Sequence, residues 1–123
     1  MRDRSGTLRY TKSIGEELMI YPHNLENTTY SDIKDLHYEV AVLPVGATEP
    51  HGLHLPYGED FFQVATIGDR ICKAANEHGA RTICLPTLPY GVETNQLGFP
   101  FAMNVNQSTL NLIVSDLLDT LAH

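Results

Sequence analysis

Two short apolar runs separated by one long helical period constrain this fold more than any other feature of the chain. Val40 to Val45 is almost wholly apolar and is closed by Gly46, which suits a buried parallel strand. From Phe61 to His78 the apolar residues Phe61, Val64, Ile67, Ile71, Ala74 and Ala75 recur at helical spacing, and Gly79 supplies a stop. Thr82 to Leu85 predicts a second strand. Leu110, Ile113, Val114, Leu117, Leu118 and Leu121 then trace one face of a second long helix, with Asn106 or Ser108 as its cap. Strand, helix, strand, helix is the order of an α/β fold with a parallel sheet covered by helices. Two strands do not make a stable sheet of that kind, and the last helix reaches His123 with no Gly, Asn or Pro to end it. The expectation is a truncated product, a fragment, or a half completed by another chain. Its sheet edge and the face carrying Leu117 and Leu121 would then need cover.

The loop between the first strand and the first long helix holds the chemistry. Leu43 to Asp60 reads LPVGATEPHGLHLPYGED, with Glu49, His51, His54, Glu59 and Asp60 set among Gly46, Gly52 and Gly58. Carboxylate oxygen and imidazole nitrogen suit Zn²⁺, Mn²⁺ or Fe²⁺, and no thiolate lies in the cluster. Glu49 and His51 stand two apart, so extended backbone turns both to one side. Asp60 follows once Gly52, Pro56 and Gly58 have let the chain turn back, and it opens the helix. There it serves either as a metal ligand or as a simple N-cap favoured by the free N–H groups and the helix dipole. His54 reads as a residue that orients a ligand carboxylate, or as a hydrogen-bonded loop histidine. Glu59, adjacent to Asp60, is expected to point away into solvent.

As a unit the segment resembles the creatininase (creatinine amidohydrolase) family. That signature runs Leu-Pro-hydrophobic-Gly-Ser-x-Glu-Gln-His-Gly-Pro-His-Leu-Pro-x-x-Thr-Asp, and Leu43, Pro44, Gly46, Glu49, His51, Gly52, His54, Leu55, Pro56 and Asp60 match it. Ala47, Pro50, Leu53 and Glu59 depart from it without removing a ligand. The resemblance implies a creatininase-like three-layer α/β/α fold with a mostly parallel sheet, truncated here after the second or third helix. It also implies two divalent ions (Zn, Mn or Fe), with Asp60 bridging them, Glu49 on one and His51 on the other. A second stretch, LPYGVETNQLGFP from Leu88 to Pro100, is similar to the family's Tyr-Gly loop, which places Tyr90, Gly91 and Gln96 at the substrate. There Gln96 stands where many members carry His, and Phe101 and Ala102 replace a Gly-Thr pair. Tyr90 equally suits a ring packed at a strand end.

The implied activity is hydrolysis of a non-peptide C–N bond, in a cyclic amide such as creatinine or in a formamide, by metal-activated water. The family's second half carries an Asn-Gly-His-Gly-Gly-Asn or His-x-Glu segment that completes the metal site and supplies the acid/base group, and this sequence does not contain it. No catalytic acid is identifiable among these residues. The alternatives are a catalytically silent scaffold or assembly module, and an unrelated doubly wound domain; the latter lacks any GxGxxG or GxxxxGK[ST] loop. The expected partners are a small-molecule amide and either further copies of the chain or a complementing C-terminal half.

Composition sets the outer limits. Fifteen acidic against eight basic residues give a formal net charge of −7 without a basic cluster, which disfavours nucleic acid and anionic membrane surfaces. No apolar run approaches the ~20 residues that span a bilayer, and the polar Met1–Arg9 stretch reads as neither signal peptide nor anchor. Cys72 and Cys84 lack CxxC spacing and read as reduced core thiols of a cytoplasmic protein. Residues 1–39 are expected to form an N-terminal extension, with a turn at Tyr21–Asn24 and a short helix within Asn27–Leu36 capped by Thr28 or Thr29. Residues 40–123 form the βαβα core of a single, partial domain. His23, His37 and His78 lie outside any cluster and read as surface or hydrogen-bonded residues.

Overall fold

The structure, a computed structural model, describes residues 9–12, 16–19 and 21–123; most of the Met1–Arg9 stretch lies outside them. The chain divides into two compact units. One comprises residues up to Pro44 together with Ala65–Pro86, and the other Val45–Val64 together with Thr87–His123.

In the first unit, β1 (Arg9–Lys12) and β2 (Glu16–Met19) pair antiparallel, Arg9 opposite Met19 and Lys12 opposite Glu16. The short helix α1 is confined to Tyr30–Ile33. The Asp32 carboxylate holds its start, accepting from the Thr29 N–H at 2.9 Å and from the Thr29 hydroxyl at 2.6 Å. β3 (Val40–Val42) and β4 (Thr82–Cys84) pair parallel, Val40 opposite Thr82 and Val42 opposite Cys84. Parallel pairing needs a long crossover, and the chain between them contains α2 (Glu59–Glu77). Gly79, at φ +91°, ends that helix as expected, with the Ala80 N–H donating to the Ala75 carbonyl at 3.0 Å. The segment read as a turn at Tyr21–Asn24 is instead extended. Asn24 bridges Cys84 in parallel, and the Cys84 N–H donates to the His23 carbonyl at 2.7 Å. A long-range pairing with β4 overrides the local turn chemistry of Pro22 and Asn24.

The core of this unit is small. Cys72, Ile83 and Cys84 are buried and both thiols are free. Burial pushes the Cys84 thiol up to about 11, helped by Cys72, so it stays protonated and unreactive. Asn76, also buried, ties α2 to β4. Its Nδ2 donates to the Tyr21 carbonyl (3.1 Å) and the Thr82 carbonyl (2.8 Å), and its Oδ1 accepts from the Thr82 N–H and hydroxyl, both at 2.8 Å. A buried amide so fully satisfied stabilises the register of helix against strand by about 1 kcal/mol per bond. The inward line of α2 runs through Gly68, Cys72 and Asn76 rather than through the larger aliphatic residues. Ile67 and Ile71, expected to face inward, are more than half exposed. The smaller residues allow close packing of helix on strand, and the apolar stripe read from the sequence is wider than the face this unit covers.

In the second unit the chain after β3 is stitched to two later segments. Val45 bridges Leu88 in parallel, the Gly46 N–H donates to the Leu88 carbonyl (2.8 Å), and the Thr48 hydroxyl donates to the Pro89 carbonyl (2.7 Å). The Met103 N–H donates to the Thr48 carbonyl at 3.0 Å. α3 (Gln107–Leu121) begins after Asn106, one of the two caps expected, and buries none of its residues. No helix among the described residues is long and apolar enough to cross a membrane.

Candidate metal centre

The loop from Glu49 to Asp60 is closed by its own backbone. The Glu49 N–H donates to the Tyr57 carbonyl (3.2 Å), His51 bridges Leu55 antiparallel, and the intervening turn passes through Gly52 at φ +67°, a conformation costly for other residues. The Glu59 N–H then donates to the Pro56 carbonyl (3.2 Å) and α2 starts. This reversal carries Asp60 back to His51. One donor atom each from Glu49, His51 and Asp60 lies within 4.8 Å of the others, and all three residues are half-buried.

His51 is the hub. Its Nδ1–H donates to the backbone carbonyl of Glu49 at 3.1 Å, which directs Nε2 toward the carboxylates. Nε2 stands 3.2 Å from Asp60 Oδ1, 3.4 Å from Glu59 Oε2 and 4.0 Å from Glu49 Oε1. Glu59, expected to be solvated, is therefore part of the site, its side chain only 21 % exposed. Adjacent residues diverge on a strand, but in the first turn of a helix they are about 100° apart, and two carboxylates can reach one imidazole. Asp60 lies within that first turn, where the free N–H groups favour a carboxylate.

His54, read as an orienting residue, is exposed, and among the described residues no hydrogen bond joins it to Glu49, His51 or Asp60. Tyr90 is 46 % exposed, Gly91 is buried, and Gln96 ends a single 3₁₀ turn at Thr94–Gln96. Phe101 adopts φ +59°, the left-handed region that the glycine of the family pattern enters freely, and its ring is exposed. The turn carrying it is anchored beside Glu49, since the Tyr57 hydroxyl donates to the Pro100 carbonyl at 2.8 Å.

Sequence reasoning missed Glu93. Its backbone N–H donates to Asn104 Oδ1 at 2.8 Å, and Gly91 bridges Asn104, which holds the segment in place. The pKa of the Glu93 carboxyl is pushed up to about 7. Interaction with Glu49 contributes most, then burial, then the charges of Glu49 and Asp60, with His51 pulling the other way. Among the described residues, Oε2 of Glu49 is buried and has no hydrogen-bond partner. A buried carboxylate oxygen with no such partner, facing other acids and an oriented imidazole, fits a cation.

For His51, burial pulls the pKa down, but the Glu49 carbonyl and the charges of Asp60 and Glu59 outweigh it, and the net direction is up from 6.5. With no metal bound, the raised pKa values of His51 and Glu93 contribute stability that is fully present below their unfolded values of 6.5 and 4.5 and is lost as pH rises through the folded ones. A divalent cation displaces the His51 proton, so its affinity is expected to fall about tenfold per pH unit below the His51 pKa. Thermal melts from pH 4.5 to 8, with and without Mn²⁺, check this: metal should raise the midpoint mainly at the alkaline end, and an equal rise at all pH values would contradict it.

Comparison with known proteins bears on the family and the fold. The family model described as "Creatininase: Creatinine amidohydrolase" matches residues 26–123. A crystal structure from Bacteroides fragilis, of a protein provisionally named a creatinine amidohydrolase, superposes with a TM-score of 0.71 at 30% identity, covering 83% of this chain and 41% of that one. The mycofactocin precursor peptide peptidase of Mycolicibacterium smegmatis is 25% identical over 95 residues, 76% of this chain and 38% of the relative. The chain thus spans about two fifths of the length of the relatives it matches.

Proposed function

Because the chain belongs to the creatininase family and has its α/β fold, we propose that it carries the metal-holding part of a metal-dependent amidohydrolase, with Glu49, His51 and Asp60 as ligands. The convergence of their three donor atoms within 4.8 Å is the observation that supports this most directly. A divalent cation bound there supplies Lewis acidity toward an amide carbonyl and a hydrolytic nucleophile near neutral pH. The chain's own residues prepare that chemistry. The Glu49 carbonyl fixes the His51 tautomer so that Nε2 is the atom presented. Asp60 and Glu59 supply negative charge from the first turn of α2, and the loop's own backbone bonds hold Glu49 against Tyr57. We place Tyr90, Gly91 and Gln96 on the substrate side, His54 at the loop's solvent edge, and the metal as Zn, Mn or Fe.

The substrate proposed is a small molecule with a non-peptide amide bond, such as a cyclic amide or a formamide. The Mycolicibacterium relative, named for a peptide, supports a second class, the peptide amide. Protein prepared without chelator, loaded with Mn²⁺ or Zn²⁺ and given creatinine, an N-substituted formamide and a short peptide, separates these. The expected result is hydrolysis of one class that a chelator abolishes and added metal restores. Bound metal with no turnover of any class would overturn the hydrolase proposal and favour a silent scaffold.

A further inference from the structure

The line of α2 that packs on β4 runs through the buried Gly68, Cys72 and Asn76. Away from it, Ile67, Ile71, Ala74 and His78 are all exposed, the two isoleucines at 53 % and 55 %. Steps of four, three and four residues keep these side chains in one stripe, roughly 16 Å long at the helical rise. This is the spacing of the two core positions through which one helix seats against another. Isoleucines left in water on such a stripe favour association with a second apolar helix face.

The charges beside the stripe identify that second helix. Arg70 and Glu77 flank it on one side, each one residue before a stripe position, and both are exposed. Among the described residues neither of them joins an ion pair. When a second α2 is laid antiparallel so that Ile71 meets Ala74 of the other copy, Ile67 meets its His78, and large residues face smaller ones in the central layers. The same register sets Arg70 beside Glu77 of the other copy, and two-fold symmetry makes that contact twice. A parallel pair would instead stack Ile71 on Ile71 and leave Arg70 opposite Ala75, with no opposite charge to meet.

We propose that this stripe is a self-association surface, through which two copies of the chain pair α2 against α2, antiparallel, with an Arg70–Glu77 ion pair on each side of the two-fold axis. Four side-chain layers make a surface smaller than a standard stable interface, so the pairing is reversible, with a dissociation constant on the order of 100 µM. It is independent of the metal site proposed above, none of whose ligands lies in the stripe.

Sedimentation equilibrium of the whole chain, over two decades of concentration around that value, tests the proposal. Wild type should pass from monomer to dimer. Ile71→Glu should remain monomeric throughout, and, because Ile71 is exposed, should melt like wild type at concentrations where both are monomers. Arg70→Glu and Glu77→Arg each bring like charges together twice, and each should weaken association about tenfold. Mixing the two single variants, or placing both changes in one chain, makes every facing pair opposite again and should restore wild-type association. A wild type monomeric at every concentration would assign the stripe to a different polypeptide and overturn the proposal, as would a dimer that survives Ile71→Glu. Charge reversals without effect, or without rescue on mixing, would overturn the antiparallel pairing.

Discussion

Asp60→Ala is expected to lower divalent-metal affinity by at least ~100-fold while leaving the chain folded. Asp60 Oδ1 is the carboxylate oxygen nearest His51 Nε2, at 3.2 Å, and its side chain is one-third exposed, so truncation opens no core cavity. The structural cost is limited to losing a carboxylate from the first turn of α2, about 0.3–1 kcal/mol. The substitution also removes the strongest charge that raises the His51 pKa, so the His51 ring should titrate lower than in wild type. Calorimetric titration with Mn²⁺ or Zn²⁺, a thermal melt and the His51 chemical shift against pH read the three effects separately. A variant that binds metal like wild type would show that Asp60 only shapes the helix start.

The second large effect concerns stability. At Gly46, a Cβ would stand 2.6 Å from both Cα and Cβ of Phe61 and 2.7 Å from its backbone nitrogen. These atoms belong to a helix and cannot swing aside as the end of a side chain can. Gly46→Ala is therefore expected to destabilise the protein by about 3 kcal/mol or more, the upper end for overpacking. Phe61 follows Asp60 directly, so any shift that relieves the clash also moves a proposed ligand, and metal affinity should fall with stability. Gly98→Ala serves as the control, because nothing lies within 4 Å of a Cβ there. Urea midpoints of the two variants test this; near-identical midpoints would contradict the close approach.

The regular elements were legible because their causes are local. The apolar run from Val40 to Val45, the helical period from Phe61 to His78 and the glycine stop at Gly79 each depend on residues near in sequence. The convergence of Glu49, His51 and Asp60 was legible for a similar reason, since Glu49 and His51 lie in one short loop whose glycines and prolines turn it back to the helix start that carries Asp60. What the sequence hid depends on distant pairing. Nothing near Asn24 announces its bridge to Cys84, and nothing near Glu93 announces Asn104. The exposure of Ile67 and Ile71 was hidden too, because helical periodicity marks which residues share a face but not how much of that face a neighbour covers. Glu59 was misplaced through a rule true of strands, applied to residues that sit in a helical turn.

Crystals of the wild-type chain soaked in Mn²⁺, with anomalous scattering recorded at the manganese edge, test the metal centre most directly. The expected map holds an anomalous peak bounded by His51 Nε2 and the carboxylates of Glu49 and Asp60. A manganese peak confined to other surface carboxylates, with none at these three, would contradict the proposed site.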